Sequence, residues 1–162
     1  MRARAVLVLL LAGGVPASVT LAQAPAPAGH LAVTPGDIVW KPGPPFLRPG
    51  AQSTVIYGDM SQAGPYVARM KAPAGFKIMP HWHPSDENVT VLSGTVAMGT
   101  GDTIDEKTAH ELTAGSFMRV PAETHHYFVA RTDTIIQVHG TGPFSITYVN
   151  PADDPRAAAA RP

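Results

Sequence analysis

Two histidines and a glutamate stand close together in the middle of this chain, between two glycines. The segment from Gly75 to Gly94 contains His81, His83 and Glu87. On a β-strand, residues i and i+2 point to the same face, so the two imidazoles can be directed at one point. Glu87 follows a short Pro-Ser-Asp turn and begins the next apolar run, so its carboxylate can reach that point. Imidazole and carboxylate together are ligands for Fe(II), Mn(II), Ni(II) or Zn(II).

A second segment of the sequence offers a fourth ligand. Between Gly115 and Phe128 the chain carries two adjacent histidines, His125 and His126. Neighbouring residues on a strand point to opposite faces, so only one of the two is expected to join the other ligands. The sequence therefore predicts a metal site assembled from two separate stretches of the chain.

These two segments resemble the two motifs of the cupin superfamily. The first motif, G-x5-H-x-H-x3,4-E-x6-G, is matched without a gap from Gly75 to Gly94. The second motif, G-x5-P-x-G-x2-H-x3-N, is matched at Gly115, Pro121 and His126. The resemblance covers residues 75–130 and implies a single cupin barrel that is jelly-roll-like. It also implies one divalent metal ion held by His81, His83, Glu87 and His126, with a coordination position left for substrate.

The second motif departs from the family pattern at two positions outside the ligands. Glu123 replaces the motif glycine, and Ala130 replaces the final asparagine. Glycine at the first position permits a positive φ, which glutamate adopts less easily. If Glu123 altered the turn, His125 instead of His126 would be the ligand.

The rest of the pattern indicates an all-β protein with one domain. Many short runs with strand-like alternation are separated by Gly- and Pro-rich turns, and no long amphipathic helix or internal repeat is visible, which is typical of a sandwich or small barrel. We place this domain at residues 33–150. A Pro/Ala-rich spacer at residues 23–32 precedes it, and a flexible tail at residues 151–162 follows.

The N-terminus has the features of a secretory signal peptide over residues 1–22. A basic start is followed by a short apolar run and then by small residues, with cleavage expected after Ala22. The apolar run is shorter than the approximately 20 residues that span a bilayer, which disfavours the alternative of an uncleaved anchor. We therefore expect a periplasmic or secreted protein that is not held at the membrane after cleavage.

Composition limits the partners and the chemistry. The chain has no cysteine, so disulfides and thiolate ligands are excluded. Cleavage removes Arg2 and Arg4, which lowers Lys plus Arg from 12 to 10 against 12 Asp plus Glu and leaves a net charge of about −2. That balance disfavours nucleic acid or an anionic membrane as a partner.

Three polar residues outside the motifs are candidates for contact with a substrate. Gln137 and His139 share one face of a predicted strand, and that face points either into the barrel or to solvent. If it points inward, His139 can act as a general base. Arg69 can bind an anionic substrate or lie on the surface.

The function follows from the resemblance only in part, because one fold carries many functions. We favour a metal-dependent enzyme for a small organic substrate, of the dioxygenase type, in which Glu87 could leave the metal to take a proton. A metal-dependent lyase or isomerase and a non-enzymatic binding protein are the alternatives. The sequence has no G-x-G-x-x-G, phosphate loop or G-x-S-x-G motif, which disfavours dinucleotide cofactors and serine nucleophiles. Analogy with similar cupins suggests a homodimer.

Overall fold

The architecture is built from short antiparallel strands. The computed structural model describes residues 29–159. The strands are β1 (Lys41–Pro42), β2 (Gln52–Tyr57), β3 (Gly64–Ala72), β4 (Lys77–Trp82), β5 (Glu87–Ser93), β6 (Thr95–Thr100), β7 (His110–Thr113), β8 (Phe117–Val120), β9 (His126–Ala130), β10 (Thr134–Gly142) and β11 (Thr147–Tyr148). Two 3-10 turns (Pro35–Asp37 and Pro151–Asp153) and one short helix, α1 (Pro155–Ala159), complete the described elements.

The strands form two sheets. One sheet has the order β1-β2-β3-β10-β5-β8, and the other has the order β11-β4-β9-β6-β7. All pairings between these strands are antiparallel. Strands that are distant in sequence, such as β3 and β10, are neighbours, as in a jelly roll. The predicted all-β, jelly-roll-like cupin barrel is confirmed.

The core lies between the two sheets. Alternate residues on facing strands point inward, and Val89, Val91, Val96, Met98 and Phe128 are each at most 2% exposed. These side chains form one continuous apolar cluster that draws on both sheets. Because the cluster fixes the strand register, it also fixes which face of each strand looks into the barrel.

The pattern at Ser93 and Gly94 predicts a tight hairpin turn, but β5 and β6 lie in different sheets, so the turn at Gly94 is a connection between the sheets. Gly94 has φ of 79°, and a Cβ at this position would lie 2.3 Å from the carbonyl oxygen of Asp133. Only glycine combines this backbone conformation with so close an approach. The end of the first motif therefore serves the turn and not the metal ligands.

The first residues of the predicted flexible tail make specific contacts with the rest of the chain. The side chain of Asn150 accepts a hydrogen bond from the N–H of Ala152 and so caps the 3-10 turn that follows. Arg156 then donates to the carbonyl oxygen of Ile146 at 3.1 Å, and Arg48 lies 3.3 Å from Asp153. These contacts tie the segment to the barrel.

The other end of the chain is described from Gly29 onward, and residues 33–159 belong to one compact unit. The predicted signal peptide and most of the predicted spacer lie outside the described residues. Within the part of the chain that the structure describes, no helix has the length and apolarity needed to cross a membrane.

Candidate metal centre

The predicted ligands come from three strands on the two sheets. His81 on β4 is paired directly with His126 on β9, so these two rings are neighbours in one sheet. His83 follows β4 by one residue. Glu87 begins β5 in the opposite sheet. The short turn between β4 and β5 therefore crosses from one sheet to the other and places the carboxylate opposite the imidazoles.

The three imidazoles form a compact, buried cluster. One ring nitrogen from each of His81, His83 and His126 lies within 4.8 Å of the others, and the three residues are 3%, 4% and 0% exposed. Glu87 adjoins this cluster, with carboxylate oxygens 3.6 Å from Nε2 of His83 and 3.2 Å from Nε2 of His126. The structure thus brings all four predicted ligands together.

Backbone carbonyls determine how each ring is oriented. In every case Nδ1 lies within hydrogen-bonding distance of a main-chain oxygen, which can only accept, so Nδ1 carries the proton and donates it. The pairs are His81 with Met79 at 2.7 Å, His83 with Ser145 at 2.7 Å and His126 with Thr124 at 2.9 Å. In the neutral rings, Nε2 is then left with a free lone pair, which is the form that binds a metal.

The free lone pairs lack partners within the protein. Nε2 of His83 and Nε2 of His126 are buried and make no hydrogen bond. A buried polar atom without a partner is costly, and two of them side by side require an explanation. A cation bound among the rings would satisfy both atoms, so the residues fit a divalent metal ion.

The protonation states of the cluster also favour a divalent metal ion. Burial lowers the pKa of His81 to about 3, and repulsion from the other two rings adds to the effect. Burial also lowers the pKa of His83. For Glu87, burial opposes ionisation, but contact with His126 and attraction to the neighbouring rings outweigh it and bring the pKa to about 2. Neutral imidazoles beside an ionised carboxylate form a donor set suited to a divalent cation.

The turn before β9 selects between the two adjacent histidines. Glu123 adopts a positive φ of 60°, the conformation that the motif glycine would supply. The turn is therefore retained, and His126 points into the barrel. His125 points outward, with a half-exposed side chain whose Nδ1 lies 2.5 Å from Oδ1 of Asp102. Of the two histidines, His126 is the one that joins the cluster.

A mostly apolar cavity of about 110 Å³ opens onto the cluster. His81, His83 and Glu87 lie at its polar end. The apolar part of its wall comes from both sheets and from the loops at the barrel mouth: Pro44, Phe46, Leu47, Val55, Met60, Ala68, Met70, Ile78, Ile136, Val138, Phe144 and Ile146.

The polar face of β10 points away from this cavity. Ile136 and Val138 line the cavity, so the alternating residues Gln137 and His139 lie on the outer face of the sheet. The ring of His139 faces Phe117, with the ring centroids 6.4 Å apart. The prediction that His139 acts as a general base in the pocket therefore does not fit its position. The outward alternative is the one that the structure shows.

Arg69 follows the same alternation. It borders the cavity between Ala68 and Met70, but its Nε donates to Oε1 of Gln137 at 3.1 Å. Gln137 is its direct register partner on β10, on the outer face of the sheet. The guanidinium is therefore engaged outside the barrel and is not directed at a ligand inside it.

Sequence reasoning missed the residues that close the cavity. The ring of Phe144 lies beside His83, with centroids 4.7 Å apart and planes tilted by 34°. Phe46 and Met60 belong to two loops at the cavity. The hydroxyl of Tyr148 on β11 donates to the carbonyl oxygen of Phe46. The backbone N–H of Phe144 donates to the carbonyl oxygen of Met60. Loop residues have no periodicity, so the only available signal was their apolar character within Pro- and Gly-rich segments.

The fold and the site together define a single-domain cupin barrel with a three-histidine pocket. The family model described as "Cupin domain" matches residues 68–139, which include all four predicted ligands. The match covers less than half of the chain and shows a similarity to that domain over the segment that carries the ligands. A comparison with curated proteins found no match.

Solved structures with the same fold come from several bacteria. A proposed acetylacetone dioxygenase from Methylibium petroleiphilum is 17% identical, covers 86% of this chain and 100% of its own, and has a TM-score of 0.61. The polyketide cyclase RemF from Streptomyces resistomycificus is 16% identical over 81% of this chain and 93% of its own, with a TM-score of 0.60. KdgF from Halomonas sp. is 18% identical over 70% and 94%, with a TM-score of 0.55. At these identities the likeness shows the fold alone.

Proposed function

We propose that this protein is a cupin enzyme that uses one divalent metal ion to oxidise a small organic substrate with O2. The observation that carries the proposal is the convergence of three imidazoles whose Nδ1 atoms are all committed to backbone carbonyls. The Nε2 atoms of His83 and His126 lie beside the Glu87 carboxylate and are buried without a hydrogen-bond partner.

The four residues would share the task of holding the ion. His81, His83 and His126 would supply three neutral nitrogens from one side, and Glu87 would supply a carboxylate from the other sheet. One negative charge among the ligands partly neutralises a divalent cation and leaves it electrophilic. Such an ion, when bound, supplies a Lewis acid and, if it is redox-active, a route for electrons between substrate and O2.

The cavity wall favours oxidation over proton-shuttling chemistry. A lyase or isomerase must move a proton at the substrate, which requires an acid or base within hydrogen-bond reach of it. Among the described residues that line the cavity, one ionisable side chain is present besides those of His81, His83 and Glu87. It is that of Arg69, which donates a hydrogen bond to Gln137. His139 lies on the outer face. Glu87 is thus the one carboxylate at the cavity that could move a proton.

The test begins with the metal content of the protein, purified without a metal-binding tag. About one iron, manganese or nickel per chain, together with O2 uptake on a panel of β-diketones and catechols, would support the proposal. The panel starts from β-diketones because a protein with the same fold is described as a proposed acetylacetone dioxygenase. The double variant His81→Ala, His83→Ala should lose the metal, whereas His110→Ala, at an exposed position on β7, should retain it.

Other results would redirect or overturn the proposal. Stoichiometric metal with turnover but without O2 uptake would favour the lyase or isomerase. Stoichiometric metal without turnover of any panel member would favour a binding protein. A chain that takes up no metal after reconstitution would overturn the metal centre altogether. Zinc alone requires exchange for iron before the O2 assay, because zinc displaces iron and manganese at many N/O sites.

A further inference from the structure

We infer that the site takes a ligand with a metal-binding polar head and an uncharged, apolar body about the size of one six-membered ring. This inference rests on the proposed metal centre and adds the class of ligand to it. It follows from three properties of the cavity beside the cluster: a mostly apolar lining, no cationic side chain directed inward among the described residues, and a small volume.

The walls of the cavity are apolar on both sheets. Met70, Ile136 and Val138 contribute from the sheet of β3 and β10, and Ile78 contributes from the facing β4. These side chains offer no hydrogen bonds to hydroxyl groups. Ser53 and Thr54 on β2 carry the only hydroxyl groups among the described residues that line the cavity. A sugar-like body would therefore lose most of its hydration with little compensation, whereas a hydrocarbon body would gain from leaving water.

Charge in the body of the ligand would be unpaired. Arg69 is the only cationic side chain among the described residues that border the cavity, and its Nε donates to Gln137 on the outer face. A carboxylate or phosphate placed far from the metal would be buried without a counterion. Such burial is strongly unfavourable, so the site should reject a second anionic group.

The loop residues beside the cluster form an aromatic wall. The ring of Phe144 packs beside His83, and Phe46 lies against Phe144 with centroids 5.8 Å apart. A planar ring entering next to the metal would meet the face or edge of Phe144, which is a favourable contact for aromatic groups.

The volume of the cavity limits the size of the body. The cavity measures about 110 Å³. An engineered apolar cavity of roughly 150 Å³ accommodates benzene. The present cavity is smaller than that one, so one ring is the upper limit for the body, and a fused bicyclic body does not fit without movement of the mouth loops.

Three hydroxamates with the same metal-binding head test this inference. The probes are benzohydroxamate, acetohydroxamate and 4-carboxybenzohydroxamate, titrated into the cobalt-loaded full chain, with the visible absorption of Co(II) as the readout. We expect benzohydroxamate to bind at least tenfold more tightly than either of the others. Metal-free protein should bind none of them measurably.

Variants separate the aromatic wall from the rest of the site. Phe144→Ala should remove most of the preference for benzohydroxamate over acetohydroxamate while the cobalt content stays at one per chain. Phe117→Ala is the matched control, because Phe117 is a phenylalanine that is 56% exposed on the outer face of the sheet. If Phe144→Ala does not fold, the probe series on the wild-type chain still decides the matter.

Each result has one meaning. Stoichiometric cobalt with equal affinity for the three probes, or with preference for the carboxylated one, overturns this inference and leaves the metal centre standing. A chain that takes up no cobalt overturns both. If benzohydroxamate binds most tightly to the wild type and Phe144→Ala loses that preference, the result supports both the metal centre and this inference.

Discussion

Glu123 donates its backbone N–H to the carbonyl oxygen of His83 across 2.8 Å, from a left-handed backbone conformation with φ of 60°. This bond joins the turn that precedes one histidine to the strand end that carries another. The two halves of the ligand set are therefore held together by main chain before any ion binds.

The left-handed conformation of Glu123 predicts that Glu123→Gly stabilises the protein. A residue with a side chain at this φ costs about 1 kcal/mol or more relative to glycine, and the exposed side chain contributes no burial in return. Part of the gain is offset by the greater freedom of glycine in the unfolded chain. We expect the free energy of unfolding to rise by about 0.5–1 kcal/mol in urea titrations.

Ala122→Gly is the matched control for this substitution. Ala122 is exposed in the same turn and has no positive φ, so glycine should only add freedom to the unfolded chain and lower stability. Equal effects of the two substitutions would show that the conformation of Glu123 carries no strain.

The two adjacent histidines should respond in opposite ways to the same substitution. His126→Gln removes a nitrogen from the buried cluster, and we expect the metal content to fall from about one ion per chain to a small fraction. His125→Gln alters only the surface contact with Asp102 and should leave the metal content unchanged. Elemental analysis of both purified variants measures this. The reverse pattern would mean that the turn at Glu123 places His125 inward.

Metal binding should stabilise the fold. An ion that binds the native cluster and not the unfolded chain adds about 2.7 kcal/mol when its free concentration is 100 times Kd. It also satisfies the buried Nε2 atoms of His83 and His126. We expect Tm to rise on addition of metal, to fall on addition of EDTA and to be insensitive to both in His81→Ala, His83→Ala. A wild-type Tm that does not change on addition of metal or EDTA would contradict the metal site.

Acidification should destabilise the metal-free protein. Burial holds the pKa of His81 at about 3, below the value near 6.5 of the unfolded chain. Below pH 6.5 the unfolded chain therefore binds a proton that the folded chain does not, and stability falls as the pH is lowered towards 5. The slope is about 1.4 kcal/mol per pH unit for each such histidine.

Urea midpoints at pH 7.5, 6.0 and 5.0 measure this dependence. His81→Gln should show a shallower slope than the wild type, because one buried imidazole is gone. His110→Gln, at an exposed site, should keep the full slope. Identical slopes in all three proteins would mean that His81 is free to protonate in the folded state.

Export remains a prediction from the sequence. We propose that the mature chain begins at Gln23, after cleavage at Ala22. Expression of the full chain in a bacterial host, followed by fractionation and intact mass measurement, tests this directly. A full-length mass in the cytoplasmic fraction would contradict it.

The sequence was most informative where a local pattern and a buried core agree. The alternation of the sequence predicts strands at Lys77–Trp82, Asn88–Leu92 and His126–Ala130, and β4, β5 and β9 lie within a residue of these bounds. The alternation is clear there because it places Val89 or Phe128 in the core and the ligands at one end. The sequence does not determine which face of β10 points into the barrel, since both faces carry apolar or amphipathic side chains. The register with β3 decides it, and that register depends on contacts far apart in the sequence.

Other features had no local signal at all. β7 begins inside a polar stretch and exists because Leu112 and its neighbours pair with β6. The C-terminal segment is held by Arg156 and by an ion pair with Arg48, two contacts that composition does not reveal. The apolar mouth residues Phe46 and Phe144 meet only after the chain has folded.

The use of main-chain oxygens to orient the three rings has a consequence for how this pocket can change over generations. Met79, Thr124 and Ser145 each contribute a carbonyl, which any other residue at the same position would also contribute. The orientation of the imidazoles therefore depends on the main chain of the barrel and not on the side chains of the cavity wall. Selection can exchange Phe46, Met60 or Phe144 for other residues, and so acquire new ligands, while the metal-binding geometry is inherited intact.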